Sequence, residues 1–540
     1  MFKNTLSYLK WLIAPSLIGR VGVGLLLLCL SLETSAQFRI NLGKNSPMSK
    51  LQYAEMAINN LYVDSVNEDK LVEDAIRGML KELDPHSSYS TPQEVKALNE
   101  PLQGNFDGIG VQFNMIDDTL LVIQPTTKGP SEKVGILAGD RIITVNDTSI
   151  AGVKMPRNEI MKRLRGPRGT KVKLGIKRRS VAEMLYFTVT RDKIPVKSID
   201  AVYMIRPGVG YIRIENFGAT TYTEFMAGLA TLQEQGMESL ILDLQENGGG
   251  YLEAAVRIAN EFLEDNDLIV YTEGNKQKRR DYLADGSGSL KKGRVVVLVN
   301  EFSASAAEIV TGAIQDQDRG IVVGRRSFGK GLVQRPIDLP DESMIRLTVA
   351  HYYTPSGRCI QKPYKKGELK EYEQDFENRL KHGELTNRDS IHFSDSLRYE
   401  TLRKHRTVYG GGGIMPDVFV PVDTTRASAF YIACNRKTTQ MRFAAAMFDK
   451  YAKQVLPIDN YADMDAFLAR IDIPGQFRKF ALQRDGITVS DAEYAETLPY
   501  LQPQLNALVA RYSKLNENAF YKYYLPVDTT VEAALKSIRE

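Results

Sequence analysis

The run Arg294-Val295-Val296-Val297-Leu298-Val299-Asn300 is followed at once by Glu301-Phe302-Ser303-Ala304-Ser305-Ala306-Ala307-Glu308. The first run is apolar and β-branched, the signature of a strand buried on both faces. The second is made of small residues and continues as a helical pattern over Ala304–Ile314. A strand that turns straight into a helix on small side chains can leave a hydroxyl exposed at the helix N-terminus, where free N–H groups and the dipole favour a developing oxyanion. The same serines would serve equally as ordinary N-caps. Working outward, Gly210–Ile214, Ser239–Leu244 and Gly320–Gly324 read as further buried strands, and Thr223–Gln235 and Tyr251–Leu263 as helices. This alternation between Val209 and Val349 predicts an α/β layer.

Upstream, Phe106 to Arg191 carries short β-branched runs (Gly110–Phe113, Leu120–Ile123, Arg141–Val145, Lys171–Lys177, Leu185–Thr190) separated by Gly- and Pro-containing turns, which predict a small, partly open β domain. Leu51 to Leu83 is helical: Leu51, Ala54, Ile58 and Leu61 share one face, Leu71, Ala75, Met79 and Leu83 another, and Asp84-Pro85 stops the second helix. Gln361 to Tyr409 is polar and reads as an exposed insertion ended by Gly410-Gly411-Gly412-Gly413. From Arg426 the pattern is helical again, and the aromatics of Phe520–Tyr524 are expected to pack a core.

At 540 residues the chain is long enough for several domains, and 43% hydrophobic with 25% charged residues excludes a disordered, collagen-like or polytopic membrane chain. The net charge is only +4, which argues against a nucleic-acid partner bound through phosphates. Cys29, Cys359 and Cys434 make no disulfide framework, and the five histidines have no ligand spacing, so no metal is expected. Lys3, Lys10 and Arg20 precede an apolar stretch from Val21 to Leu32, and Thr34-Ser35-Ala36 offers small residues for cleavage. Residues 1–36 therefore read as an export signal, placing the rest in the periplasm or cell envelope. An uncleaved anchor from Trp11 is the alternative, interrupted by Pro15, Gly19 and Arg20.

Gly324-Arg325-Arg326-Ser327-Phe328-Gly329-Lys330-Gly331 nearly spells a phosphate loop, but Gly331 stands where the Mg²⁺-holding hydroxyl belongs, and the acidic strand end Asp243 comes before the loop, not after it. A lysine on a tight glycine turn has another use. In an apolar pocket its pKa falls, leaving a neutral amine that can deprotonate serine. His351, in the strand-like run Ile345–Tyr353, reads as a packing residue, so no histidine competes for that task. A Ser–Lys pair needs no metal and no cofactor.

Asn300–Ile309 together with Ser327-Phe328-Gly329-Lys330-Gly331-Leu332-Val333-Gln334 resembles the carboxyl-terminal processing (tail-specific) serine peptidases. Leu83-Asp84-Pro85-His86-Ser87-Ser88-Tyr89 resembles that family's N-terminal helical segment. Phe106-Asp107-Gly108-Ile109-Gly110-Val111 and Gly139-Asp140-Arg141-Ile142 resemble its PDZ domain, and Tyr352-Tyr353-Thr354-Pro355-Ser356-Gly357-Arg358 the strand and turn after its lysine. The resemblance covers roughly residues 50 to 425. It implies a multidomain α+β chain with a crotonase/ClpP-like α/β serine peptidase core (193–425, with the polar insertion at 361–409) and a PDZ β domain in series (101–192). Helical regions at 37–100 and 426–540 flank them.

Carried across residue by residue, the resemblance makes Ser305 the nucleophile, Lys330 the general base and Gln334 the residue that orients the lysine. Ser303 is a rival whose spacing to the lysine does not fit. The oxyanion hole would combine the backbone N–H of Ala306 with one from Gly249 or Gly250. The family usually has Arg where this chain has Gln245 and often Pro at Gly248, a departure that bears on the rigidity of that loop. Gly108, Ile109, Gly110 and Val111 would cradle a peptide carboxylate. The implied function is an exported serine endopeptidase that captures protein C-terminal tails and cuts through an acyl-enzyme. The alternative is a non-catalytic PDZ tail-binding scaffold of the cell envelope. Residues 426–540 are left to packing, or to assembly as a homo-oligomer or with an adaptor.

Overall fold

A computed structural model describes residues 46–426 and 428–539, so the expected export signal lies outside the described residues. The chain divides into two units, residues 1–76 and 77–540. In the first, helix α1 (Pro47–Leu61) is capped by Ser46 Oγ, which accepts the N–H of Ser49 at 3.2 Å. No residue of α1 is buried, and the apolar face read from the sequence is exposed at Leu51, Ile58 and Leu61. Helix α2 (Glu68–Lys81) starts on two acids and ends on a lysine, as the helix dipole favours.

The larger unit continues with the short strand β1 (Ser88–Ser90) and helix α3 (Pro92–Leu102), which Thr91 and Glu94 begin with a reciprocal capping box. Strand β2 (Asn105–Gly108) leads into an antiparallel sheet of β3 (Val111–Ile116), β4 (Thr119–Pro125), β5 (Arg141–Val145), β6 (Lys171–Lys177) and β7 (Leu185–Thr190), neighbours in that order. Helix α4 (Arg157–Leu164), between β5 and β6, buries Ile160 and Leu164 on the core built by Leu120, Ile142, Leu174 and Val189. Strand β8 (Asp192–Pro195) returns to pair with β2.

The α/β layer is a six-stranded sheet. Its strands are β9 (Ile199–Arg206), β10 (Val209–Ile214), β11 (Ser239–Asp243), β14 (Arg294–Val299), β15 (Ile321–Gly324) and β18 (Val418–Phe419), parallel except for the β9–β10 pair. Alternation along each strand decides what it meets. Ile212, Leu242 and Val297 face helices α5 (Thr221–Glu234), α6 (Leu252–Asn260) and α7 (Ala306–Asp316) through Phe225, Ile258 and Val310. Tyr211, Ile241 and Val296 face the other way, onto Val531, Ala534 and Leu535 of the last helix (Thr529–Arg539). Burial on both faces is why these strands are apolar at nearly every position. A second sheet runs β1, β17 (Met344–Tyr353), β12 (Leu268–Gly274) and β13 (Gln277–Leu283), with β16 (Leu332–Asp338) also pairing β17.

One expectation is corrected. The stretch 361–409 is polar, yet it is not simply an exposed insertion. Tyr372, Arg379, Leu385, Thr401 and Val408 are all buried. Arg379 donates to the backbone oxygens of Arg326 and Ser327 at 2.6 and 3.2 Å, so this polar residue holds a neighbouring loop.

Residues 429–539 are helical, with a core of Phe443, Phe448, Phe467, Phe477, Leu501 and Leu505. Ile123 of the β domain joins that core, and Arg141 pairs with Asp449 at 2.7 Å. The aromatics near the end pack: Phe520 stacks on Tyr524, and Tyr521 lies 5.3 Å beneath the guanidinium of Arg213.

Candidate active site

Ser305 sits where β14 hands over to α7, with φ 56° and ψ −113°, a backbone strained for a residue with a side chain. Both flanking peptide groups are held. Its N–H donates to Glu308 Oε2 at 2.8 Å, and its carbonyl accepts from the N–H of Ile309 at 3.0 Å and the hydroxyl of Tyr352 at 3.1 Å. Burial raises the Tyr352 pKa well above its ordinary value, so that hydroxyl stays a donor. Ser303 is fully buried, and its hydroxyl donates to Leu244 O at 2.7 Å while accepting from Asn300 N. It is a structural pin of the turn and not a nucleophile.

The lysine turn follows β15. Glu308, fully buried, accepts the Ser327 hydroxyl and the N–H groups of Gly329 at 2.7 Å and Lys330 at 2.9 Å, in addition to Ser305. This disposes of the phosphate-loop reading on physical grounds, because the amides that would cradle phosphate already hold a carboxylate of the chain. Burial pushes the Glu308 pKa up, against the four hydrogen bonds that favour its charged form. The four-glycine run closes over the turn. Ile414 N donates to Ser327 Oγ at 2.6 Å, and a Cβ on Gly413 (φ 84°) would come within 2.6 Å of Ser327 O.

The amine of Lys330 donates to Gln334 Oε1 at 3.0 Å, and Gln334 Nε2 donates in turn to the carbonyl of His86. Among the described residues no hydrogen bond joins Lys330 Nζ to Ser305 Oγ. Burial lowers the Lys330 pKa, and Arg346 lowers it further, with Glu308 and Asp84 opposing. Arg325 and Arg326, the cations nearest to Lys330 in sequence, are paired elsewhere, with Glu301 and Glu384. The one that counts, Arg346, comes from β17.

His86 joins this site although no pattern in the chain points to it. Its turn is built by Asp84, which accepts from His86 N, Ser87 N, Ser87 Oγ and Thr348 Oγ1. Its ring bonds to the Tyr372 hydroxyl at 2.8 Å. Burial, with Lys330 second, pushes its pKa down to about 4, so it is neutral near pH 7.

The glycine loop after β11 lies against Ser305. A Cβ on Gly249 (φ 100°) would sit 2.8 Å from Ser305 Cβ, and one on Gly250 2.2 Å from Phe217 O, so neither position admits a side chain. Gly249 N–H donates to Asn247 Oδ1 at 2.8 Å. Of the two expected oxyanion glycines, Gly250 is therefore the one whose N–H has no acceptor among the described residues. Asn247 also donates to Ile214 O at 2.8 Å and accepts from Ala304 N at 2.9 Å through its carbonyl, and Asn300 exchanges hydrogen bonds with Glu246. The missing arginine at Gln245 is offset by Arg213, which donates to Asp243 at 2.9 Å and to Gln245 O at 3.0 Å. At Gly248 a side chain would meet nothing within 4 Å.

Gly108, Ile109, Gly110 and Val111, where a carboxylate cradle is expected, lie at a sheet edge, because among the described residues β3 pairs only with β4. Ile109 O accepts from Ser131 N and Oγ, and Gly110 O from Thr126 N. In a trans peptide the N–H points opposite the C=O, so the N–H groups of Gly110 and Val111 both face outward.

Residues 208–368 match peptidase family S41, residues 108–190 match the PDZ domain, and residues 31–93 match the activating protease CtpB N-terminal domain. The chain is 37% identical to a carboxy-terminal-processing protease of Bartonella bacilliformis, over 56% of this chain and 70% of that protein. It is 35% identical to the carboxy-terminal processing protease CtpA of Bacillus subtilis, over 61% of this chain and 70% of that one. Among solved structures it is similar to a photosystem II D1 C-terminal processing protease, at 27% identity and a TM-score of 0.35, covering 69% of this chain and 92% of that one. With a peptidase S41 core, a PDZ domain and relatives of this coverage, the chain belongs to the carboxy-terminal-processing proteases, a family of serine endopeptidases.

Proposed function

We propose that this protein is an exported endopeptidase that selects proteins by their C-terminal tails and cuts them with a Ser305–Lys330–Gln334 apparatus. The observation that carries the reading is the state of Lys330, an amine desolvated by burial, placed by Gln334 and tied through Glu308 to the backbone of Ser305. Neutral Lys330 takes the proton of Ser305 Oγ as that oxygen bonds to the scissile carbonyl carbon. The N–H groups of Ala306 and Gly250 hold the oxyanion, and the proton passes to the leaving amine as the C–N bond breaks. Water, giving its proton to the same lysine, then hydrolyses the acyl ester. The Lys330–Ser305 contact forms on substrate binding, as such contacts often do.

Tail capture rests on the outward N–H groups of Gly110 and Val111 beside the open edge of β3, where an extended peptide adds as a strand. Export rests on the charge, apolar and small-residue order of residues 1–36 and places the enzyme in the periplasm or cell envelope. Ser305→Ala tests the chemistry: tail cleavage is lost while peptide binding stays. Undiminished cleavage removes Ser305 from the mechanism. The scaffold alternative draws on the Lys330–Ser305 contact not being made, and it predicts no adduct at Ser305 with a fluorophosphonate probe. N-terminal sequencing of the mature chain tests export, with Gln37 the expected first residue.

A further inference from the structure

One cation beside the lysine turn has no partner. Arg346, half-buried on β17, makes no hydrogen bond and no ion pair among the described residues. The strand register says where its side chain points. Across the β16–β17 ladder Gln334 stands opposite Thr348, and Pro336 opposite Arg346. On the other side of β17, Ser88 of β1 stands opposite Arg346. Cross-strand neighbours share a face, and so do residues two apart on one strand. Arg346 therefore projects from the same face as Gln334 and is its diagonal neighbour, a separation that a long side chain spans. Gln334 uses that face to hold the Lys330 amine at 3.0 Å, and Arg346 is near enough to the same amine to disfavour its charged form.

The residues that flank Arg346 leave it open. Pro336 and Ser88 are both exposed. Asp338, the acid farther along the same face of β16, makes no ion pair with it. The other cations around the lysine turn are already paired: Arg325 with Glu301 at 2.7 Å, Arg326 with Glu384, and Lys362 with Asp375 at 3.0 Å. An unpaired guanidinium keeps Lys330 neutral while it waits, but it repels the ammonium formed once the lysine has taken the serine proton. A carboxylate brought in with the substrate removes that repulsion at the step where it counts.

Resting on the Ser305–Lys330 reading, we propose that Arg346 is a specificity-determining residue that binds an acidic side chain of the substrate, carried by one of the first two residues after the scissile bond. The side of the bond follows from the path of the proton. Lys330 hands it to the leaving amine, so the residue bearing that amine lies against Lys330, and Arg346 flanks the lysine and not the oxyanion loop at Gly250. The guanidinium fork matches a carboxylate in bidentate fashion. Glu308 and Asp84, the anions that act on the amine from α7 and from the turn before β1, cannot serve Arg346 instead. They already accept from Lys330 N and from Thr348 Oγ1, each at 2.9 Å.

The test uses the full chain and decapeptides with one free-carboxyl end and one cleaved bond, located by mass spectrometry. The peptides differ only in carrying Asp, Asn or Lys at the first or second position after that bond. At one of these positions kcat/KM for Asp should exceed that for Asn about fivefold, and that for Lys by more, with the difference shrinking at high salt. The same exchange at the second position before the bond should change nothing. Arg346→Gln should level Asp and Asn, Arg346→Lys should keep part of the preference, and Arg346→Glu should turn it over in favour of Lys. Ratios are compared within each variant, so a general loss of rate does not enter. Should the variants fail to fold, the wild-type ratios and their salt dependence still decide. Equal rates for Asp and Asn at both positions, or an equal gain on both sides of the bond, overturn the proposal. Ser305→Ala separates the underlying reading. If it is inactive while Asp and Asn peptides are cut alike by the wild type, the Ser–Lys chemistry stands and the Arg346 subsite falls. If it cuts as fast as the wild type, the chemistry falls and takes the subsite with it.

Discussion

Ser305 and Lys330 stand 25 positions apart in the chain, yet both donate their backbone N–H groups to one oxygen, Glu308 Oε2, at 2.8 and 2.9 Å. The Ser305 turn and the Lys330 turn are therefore held in register by one buried carboxylate and not by direct contact. Glu308→Ala would leave the N–H groups of Ser305, Gly329 and Lys330 and the Ser327 hydroxyl without an acceptor. The expected cost is about 3 kcal/mol or more in urea unfolding, with kcat/KM on a tail peptide falling about a hundredfold as the reacting groups lose register. Glu308→Gln keeps one accepting oxygen and should fall between. An alanine variant with unchanged stability and rate would refute the registering role.

The Lys330 pKa is lowered, first by burial and then by Arg346. Since the base must be neutral, kcat/KM should rise with pH and level off once the lysine has lost its proton. Arg346→Gln removes a cation that favours the neutral amine, so the lysine pKa goes up and the rising limb moves to higher pH. A limb that stays in place, or moves down, would show that Arg346 does not act on the lysine.

Gln334 links the Lys330 amine to the His86 carbonyl, and Tyr372 holds the His86 ring. Gln334→Ala should lower kcat by about tenfold or more while KM changes little, because the residue orients the base and does not touch the tail. Tyr372→Phe should act in the same direction and more weakly. A change confined to KM would assign both residues to substrate binding.

His86 titrates at about 4 in the folded chain, below the ordinary histidine value of 6.5. Between these values the unfolded chain binds the extra proton, so folding stability is full above about pH 6.5 and declines as pH falls toward 4. Urea unfolding of His86→Gln beside the wild type should show a shallower decline in that window. Parallel curves would rule His86 out as the source.

The C-terminal helices cover one face of the six-stranded sheet through Val531, Ala534 and Leu535 and grip the β domain through Ile123 and the Arg141–Asp449 pair. Truncation after Thr425 should expose that face and yield an aggregated, inactive product by light scattering and peptidase assay. Phe448→Ala, at the junction with the β domain, should cost about 3–5 kcal/mol in unfolding. A monodisperse, active truncated chain would contradict this structural role.

The strands of the α/β layer and the β domain were legible because their cause is local: runs apolar at every position for a sheet covered on both faces, alternation and glycine turns elsewhere. Ser305 and Lys330 were singled out through a family resemblance, which two short motifs of small residues and glycines carry. What surrounds them was not legible. His86, in a turn that Asp84 holds, reaches Gln334 from 248 positions upstream, Arg346 enters from a neighbouring strand, and Tyr372 and Arg379 come from a stretch whose polarity pointed to solvent. The same holds for Asn247, whose one side chain ties β10 to the glycine loop. A polar residue that is buried and satisfied by a distant backbone carries the same letter as one in water. Only the tertiary structure, by bringing donor and acceptor together, decides which it is.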